Sequence, residues 1–220
     1  MTSSPPGSSV RQHWAWTAPA DTSTLVLPDG CRDVIFFEPA TGAPRVWVSP
    51  RDDTARVVRA TRGDRFTGYR LHPAATFDER ALCDVAGSLP TDDTARAMLD
   101  AHVRIDDALC AALDALARAD SVAAARRVVG VTERTLERWV CARTARAPSW
   151  WQGLARVRRA AAALEDPLSL ATLATRHGYA DQSHMSRAFQ RWFQISPGRM
   201  RRRPDLLAVL RDAAHDSGLG

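Results

Sequence analysis

The chain has 220 residues with 30 Lys or Arg against 25 Asp or Glu, a formal net charge of +5, and 45% hydrophobic residues. All of the basic residues are arginine; lysine is absent. That length holds one large domain or two small ones with real cores, the composition excludes a disordered chain, and no apolar run approaches the ~20 residues that span a bilayer. Met1 to Ser9 is rich in Ser, Pro and Gly and has neither a basic nor an apolar signal region, so it is predicted as a flexible tail on a cytoplasmic protein. Cys31, Cys83, Cys110 and Cys141 are far apart with no CxxC pair. This spacing suggests neither a disulfide framework nor a zinc site, and no metal or cofactor is predicted.

From Val10 to Leu71 short β-rich runs alternate with turn residues. The runs are His13–Thr17, Ser23–Leu27, Val34–Glu38, Arg45–Val48, Arg56–Arg59 and Phe66–Leu71, separated by segments such as Pro28-Asp29-Gly30 and Pro39 to Pro44. They predict a small antiparallel sandwich or open barrel. Gly87 to Asp93 breaks the chain again. Thr94 to Ala119 then carries Leu99, Val103, Leu109, Leu113 and Leu116 near helical spacing, which predicts one linker helix. Its stripe needs a partner, either the core of the same chain or a homodimer interface.

Charge divides the chain at this point. Residues 1–120 hold 13 Arg and 17 acids, residues 121–203 hold 16 Arg and 5 acids, and residues 204–220 hold 1 Arg and 3 acids, giving −4, +11 and −2. A segment at +11 is a candidate polyanion binder, because its arginines can neutralise phosphates and release condensed counterions. The alternative is a solvated basic face.

The basic segment is helical and repeats itself. Ser121 to Val129, Gly130 and Thr132 to Ala142 form one helix, turn and helix; Ser169 to His177, Gly178 and Asp181 to Phe193 form another. Thr132 aligns with Asp181, Leu136 with Met185, Arg138 with Arg187 and Pro148 with Pro197. Thr132 and Asp181 are good N-caps, and Gly130 and Gly178 supply the positive φ that ends each first helix. This is the helix-turn-helix arrangement, whose second helix can enter a major groove. Between the units Trp150, Leu154, Val157, Ala161 and Leu164 form one apolar stripe with Arg156, Arg158 and Arg159 mostly off it. A connecting helix from Ser149 to Asp166 would be about 27 Å long, near the ~34 Å between successive major-groove faces.

On the first reading helix Leu136, Trp139 and Val140 are predicted to face the core, leaving Arg134, Glu137 and Arg138 outward. On the second, Met185, Ala188, Phe189 and Trp192 face inward and Gln182, Ser183, Ser186 and Arg187 outward. Arg suits guanine, Gln suits adenine and Glu suits the cytosine amine, so these seven are the predicted base readers. Ordinary solvated residues and capping partners are the alternative. Thr132, His184, Arg191, Arg199, Arg201 and Arg202 are the predicted phosphate contacts, with Arg201 to Arg203 following Pro197-Gly198 as a backbone clamp.

Thr132-Glu133-Arg134-Thr135-Leu136-Glu137-Arg138-Trp139, the stretch Arg156 to Ala160, and above all Gly178 to Phe189 followed by Ile195-Ser196-Pro197 resemble the DNA-binding domain of AraC/XylS-type transcription regulators. The resemblance covers residues 120–203. Two positions depart from it: members usually carry Gly before each closing Pro segment, where this chain has Ala145 and Gln194. More weakly, Leu27 to Phe36 and Gly68 to Pro73 resemble the small β-rich domain that precedes this module in some actinobacterial members.

The resemblance implies an α+β protein: a flexible tail (1–9), a β-rich N-terminal effector or dimerisation domain (10–93), a linker helix (94–119), an all-α DNA-binding domain of two helix-turn-helix units joined by a long helix (120–203), and a C-terminal tail or helix (204–220). It implies a sequence-specific regulator with double-stranded DNA as partner, and RNA polymerase, a small-molecule effector and a second copy of the chain as further partners, away from any membrane. Two other classes compete. One is a protein-interaction module that kept the scaffold and lost DNA binding, against which the arginines on both outward stripes argue. The other is an enzyme using Asp29, Cys31, Asp33 and His72, but P-loop, GxGxxG, GxSxG and HExxH motifs are all absent.

Overall fold

The computed structural model describes residues 2–3, 9–84 and 92–216. A β-rich N-terminal region is followed by a helical region, and the chain divides into two compact units. The first comprises Met1–Val26, Cys31–Arg51 and Arg56–Asp106; the second comprises Leu27–Gly30, Asp52–Ala55 and Asp107–Gly220. Two short segments of the N-terminal half therefore belong to the helical unit.

The first unit contains β1 (Thr2–Ser3), β2 (Val10–Thr17), β3 (Thr22–Val26), β4 (Arg32–Glu38), β5 (Arg45–Val48), β6 (Arg56–Ala60), β7 (Arg65–Leu71), β8 (Ala75–Thr76), α1 (Glu79–Asp84), α2 (Asp92–His102) and β9 (Arg104–Ile105). Strands β2 to β7 occupy the six predicted runs with small changes at their ends. They form an antiparallel sheet in the order β1-β2-β7-β4-β5 and a separate ribbon of β3 with β6. The period of two decides which residues form the core. Val34 and Phe36 on β4, Tyr69 and Leu71 on β7 and Val48 on β5 share one face, which Leu82, Ala95, Leu99 and Val103 cover. Phe37 lies on the opposite face, stacked on Phe66 at 4.6 Å and edge-on to Trp47 at 6.0 Å.

The linker helix expected over 94–119 is two helices, α2 and α3 (Asp107–Arg118), with β9 between them. The break arises because Arg104 and Ile105 give their backbone to the ladder with β8, where Thr76 pairs with Arg104 and Ala75 with Ile105. The stripe is correspondingly split: Leu99 and Val103 enter the core of the first unit, whereas Leu109, Leu113 and Leu116 are buried in the second. Helix α1 is a further element that the turn-rich reading lacked. Asp78 caps it, accepting from the Arg80 and Ala81 N–H groups at 2.9 and 3.1 Å. Of the predicted tail, Thr2 and Ser3 pair with His13 and Gln12, and residues 1 and 4–8 lie outside the described residues. Of the predicted break at 87–93, residues 87–91 lie outside them as well, and Asp92 already opens α2.

The second unit continues with α4 (Val122–Val129), α5 (Glu133–Thr144), α6 (Pro148–Ala162), a 3-10 turn (Ala163–Glu165), α7 (Leu170–Arg176), α8 (Gln182–Phe193), α9 (Pro197–Met200) and α10 (Pro204–Asp216). Helix α6 is shorter than the expected span to Asp166 and covers about 22 Å at 1.5 Å per residue. Helix α10 replaces the expected tail: Leu206, Leu207 and Leu210 are buried, and it packs on α6 and α9.

His72 follows β7 and accepts a hydrogen bond at Nδ1 from the Ala74 N–H at 3.0 Å. Burial first, and then the Arg11 charge, holds its pKa down from 6.5 to about 4. The unfolded chain therefore takes up this proton before the folded one, so the contribution is complete above the unfolded pKa of 6.5 and is lost as pH falls toward about 4. We expect acidification across that window to cost about 1–2 kcal/mol through this ring, reduced for its partial exposure. His72→Asn, which keeps an acceptor near Nδ1, should flatten that part of the melting temperature against pH profile; an unchanged profile would show that His72 does not report its burial in this way.

Candidate nucleic-acid interface

Two helix-turn-helix units are built from the same local chemistry. In the first, the Ser121 side chain caps α4 by accepting from the Ala124 N–H, Gly130 ends the helix at φ 75°, and Thr132 caps α5 by accepting from the Thr135 N–H. In the second, Ser169 caps α7 by accepting from the Thr172 N–H, Gly178 has φ 73°, and Asp181 caps α8 by accepting from the His184 N–H at 2.6 Å. Each unit closes in the same way. Ala145 after α5 and Gln194 after α8 sit in the left-handed region at φ 56° and 60°, the only described non-glycine residues with positive φ. Each is followed three residues later by a buried proline at a helix start, Pro148 and Pro197. The two departures from the resembled pattern thus fall where the backbone calls for glycine, and the turn geometry is formed without it.

Both units rest on α6. Trp151, Leu154, Val157 and Ala161 on this helix, and Leu164 just beyond it, are fully buried, as are Leu136 and Val140 of α5 and Met185, Phe189 and Phe193 of α8. Trp150, expected on the buried stripe, is only half-buried: it packs edge-on against Trp192 at 5.3 Å and its Nε1 donates to Asp53 at 2.7 Å. Arg146 donates to the other Asp53 oxygen at 3.0 Å, Gln194 donates to Thr54 Oγ1 at 2.7 Å, and the Ala55 N–H donates to the Trp192 carbonyl at 2.7 Å. The closing turns of both helix-turn-helix units are therefore tied to the same segment, Asp52–Ala55.

The predicted base readers are largely open to solvent. Arg134, Glu137 and Arg138 on α5 and Gln182, Ser183 and Arg187 on α8 are exposed, and Ser186 is half-buried. Their side chains make no hydrogen bond or ion pair among the described residues. Of the predicted phosphate contacts, Arg191, Arg199 and Arg202 are exposed. Thr132 is occupied as a cap, its hydroxyl also 2.8 Å from that of Thr135. His184 is half-buried, with Nδ1 accepting from the Ala180 N–H at 3.4 Å and the ring edge-on to Tyr179 at 5.2 Å.

Arg201 has a different place from the one expected. Its Nε and Nη2 donate to the carbonyls of Leu164 and Leu168, both at 2.9 Å, so the guanidinium satisfies the backbone beyond α6. Arg203 pairs with Asp205 at 2.6 Å, which leaves Arg199 and Arg202 as the free members of the expected clamp among the described residues. The three arginines of α6, expected mostly off the apolar stripe, also separate. Arg158 is buried and donates to the Pro28 carbonyl at 2.9 Å, and Arg159 donates to the Ala117 carbonyl. Only Arg156 turns toward α8, its guanidinium 5.2 Å from the Tyr179 ring centre. The spacing Arg156, Arg158, Arg159 held no signal for this division, because what decides it is which neighbouring carbonyl lies within reach.

Residues 125–203 match the family model described as a helix-turn-helix domain. The match bears out the resemblance carried by this segment at the level of a helix-turn-helix domain. No curated protein matches the chain. Two solved structures of ToxT are similar: one from Vibrio cholerae at 8% identity and a TM-score of 0.45, covering 86% of this chain and 97% of that chain, and one from Vibrio cholerae O395 at 9% and 0.46, covering 90% and 97%. No described helix is long and apolar enough to cross a membrane.

Ala145→Gly should relieve the left-handed strain after α5 and raise stability by about 0.5–1 kcal/mol net of the added freedom of the unfolded chain. Thermal or denaturant unfolding measures this directly, and a loss of stability would mean that the turn is not strained as its φ indicates.

Proposed function

We propose that the protein is a sequence-specific DNA-binding transcription regulator of the AraC/XylS type, which inserts α5 and α8 into successive major grooves. The observation that carries this is the pair of largely exposed polar stripes without intramolecular partners among the described residues, one on the second helix of each helix-turn-helix unit. Arg134, Glu137, Arg138, Gln182, Ser183, Ser186 and Arg187 are assigned to base edges, and Arg191, Arg199 and Arg202 to phosphates. Thr132, at the N-cap of α5, and His184, in the first turn of α8, are assigned to the phosphate set as well.

The β-rich unit is proposed as the regulatory part, which takes a small-molecule effector or pairs two copies of the chain, and RNA polymerase is the proposed partner on the promoter. The protein is placed in the bacterial cytoplasm, as a regulator rather than an enzyme. Its separate core around Tyr69 and Leu71 supports a role apart from the reading head.

Selection of bound duplexes from a random pool with the full chain should enrich one bipartite motif for a single copy, or that motif repeated for a dimer. On the selected duplex Arg187→Ala should cost about 1–3 kcal/mol and relax selectivity at one position. Arg202→Ala should weaken all sequences alike and reduce the salt slope. Equal losses on selected and random duplex for Arg187→Ala would count against base reading. A folded chain that shows no salt-dependent DNA binding would be an interaction module instead.

A further inference from the structure

A cleft of about 380 Å³ opens between α6 and α8, sharing Arg187 with the reading stripe. Arg156 enters from α6, and His184, Arg187 and Arg191 enter from α8. No acidic residue lines it, and none of the three guanidiniums forms an ion pair among the described residues. Aromatic faces form its walls. The Arg156 guanidinium lies 5.2 Å from the Tyr179 ring centre and that of Arg191 lies 5.7 Å from the Trp192 ring centre. Stacking of this kind restrains a guanidinium while leaving its N–H edges available to an anion. Burial pushes the Tyr179 pKa up to about 12, so its hydroxyl stays neutral beside Arg156 and adds no competing negative charge. Gly153 faces the cleft from α6 and carries no side chain to fill it.

We propose that this cleft seats a backbone phosphate of the duplex between the two groove segments, held by Arg156, Arg187 and Arg191. The inference rests on the DNA-binding reading and adds Arg156, the one arginine of its α6 group that lines the cleft. Its one hydrogen bond, to the Gly178 carbonyl at 3.4 Å, is long and weak and leaves most of the fork's donors free. The ligand chemistry is that of a phosphodiester or a free phosphate. A polymer strand is favoured because the cleft is open to solvent, whereas sites for small ligands enclose most of the ligand surface. Arg187 belongs both to the cleft and to the reading stripe, so one side chain joins phosphate contact to base contact.

The test uses the full chain, a 30-base-pair duplex taken from the selection, and a random duplex of the same length, over about 50–200 mM salt. Arg156→Gln should weaken both duplexes by the same factor, about 3- to 10-fold at the low-salt end, and lower the salt slope by about 1. Ser149→Glu sets a carboxylate at the cleft from the first turn of α6, where an acid favours the helix; it should weaken binding without lowering the melting temperature. A scan with neutral methylphosphonates should find a position between the two groove segments that costs the wild type affinity and costs Arg156→Gln nothing further. An unchanged salt slope in both variants, or an Arg156→Gln loss confined to the selected duplex, would overturn the proposal. So would calorimetric binding of pyrophosphate that Arg156→Gln abolishes while DNA binding persists, since that marks a free-phosphate site. A wild-type chain that binds neither duplex would overturn the DNA-binding reading itself, and the cleft with it.

Discussion

Burial of one helical stripe governs the second unit. Trp151, Leu154, Val157 and Ala161 cannot be left in water, and α3 and α10 as well as α5 and α8 pack on the helix that carries them. Residues Leu136, Val140, Met185 and Phe189 turn inward for that reason, and the 3.6-residue period then leaves Arg138 and Arg187 outward. The exposed stripes are thus a consequence of the core. The polar side chains on them form no hydrogen bond or ion pair among the described residues.

The net charge of +11 over residues 121–203 overstates what is available to a polyanion. Arg158, Arg159 and Arg201 spend their donors on the carbonyls of Pro28, Ala117, Leu164 and Leu168, Arg146 pairs with Asp53, and Arg203 pairs with Asp205. Arginine suits this structural use because its fork satisfies two carbonyls at once and keeps its charge when partly buried. Arg176 pairs with Asp166, and what remains lies on α4, α5, α8, α9 and the turn after α9, with Arg156 at the cleft. Charge that is free and grouped attracts phosphate, and charge tied to the backbone largely holds the scaffold together.

The closing turns show how a local rule can be broken when the tertiary structure compensates. Ala145 and Gln194 adopt backbone angles that favour glycine, and both turns are tied to Asp52–Ala55 through Arg146, Trp150 and Gln194. The hydrogen bonds there, together with the buried prolines that follow, hold a conformation costing about 1–2 kcal/mol per residue. The same segment contacts both helix-turn-helix units, so the two turns share one support.

The sequence by itself determined the six main strands, the caps Thr132 and Asp181, the turns at Gly130 and Gly178, and the outward placement of the base-reading candidates. Each depends on signals within a few residues: alternation, a side chain reaching the N–H three residues on, a glycine at positive φ. The tertiary structure alone decided the rest. It split the 94–119 stripe between two cores, because β9 pairs with β8 across a long stretch of chain. It drew Leu27–Gly30 and Asp52–Ala55 into the helical unit, gave Arg201 and Arg158 to backbone carbonyls, and left Arg156 facing the cleft. These outcomes turn on which distant groups come within hydrogen-bond reach, and pairings between residues 22 to 130 positions apart leave no periodic trace in the sequence.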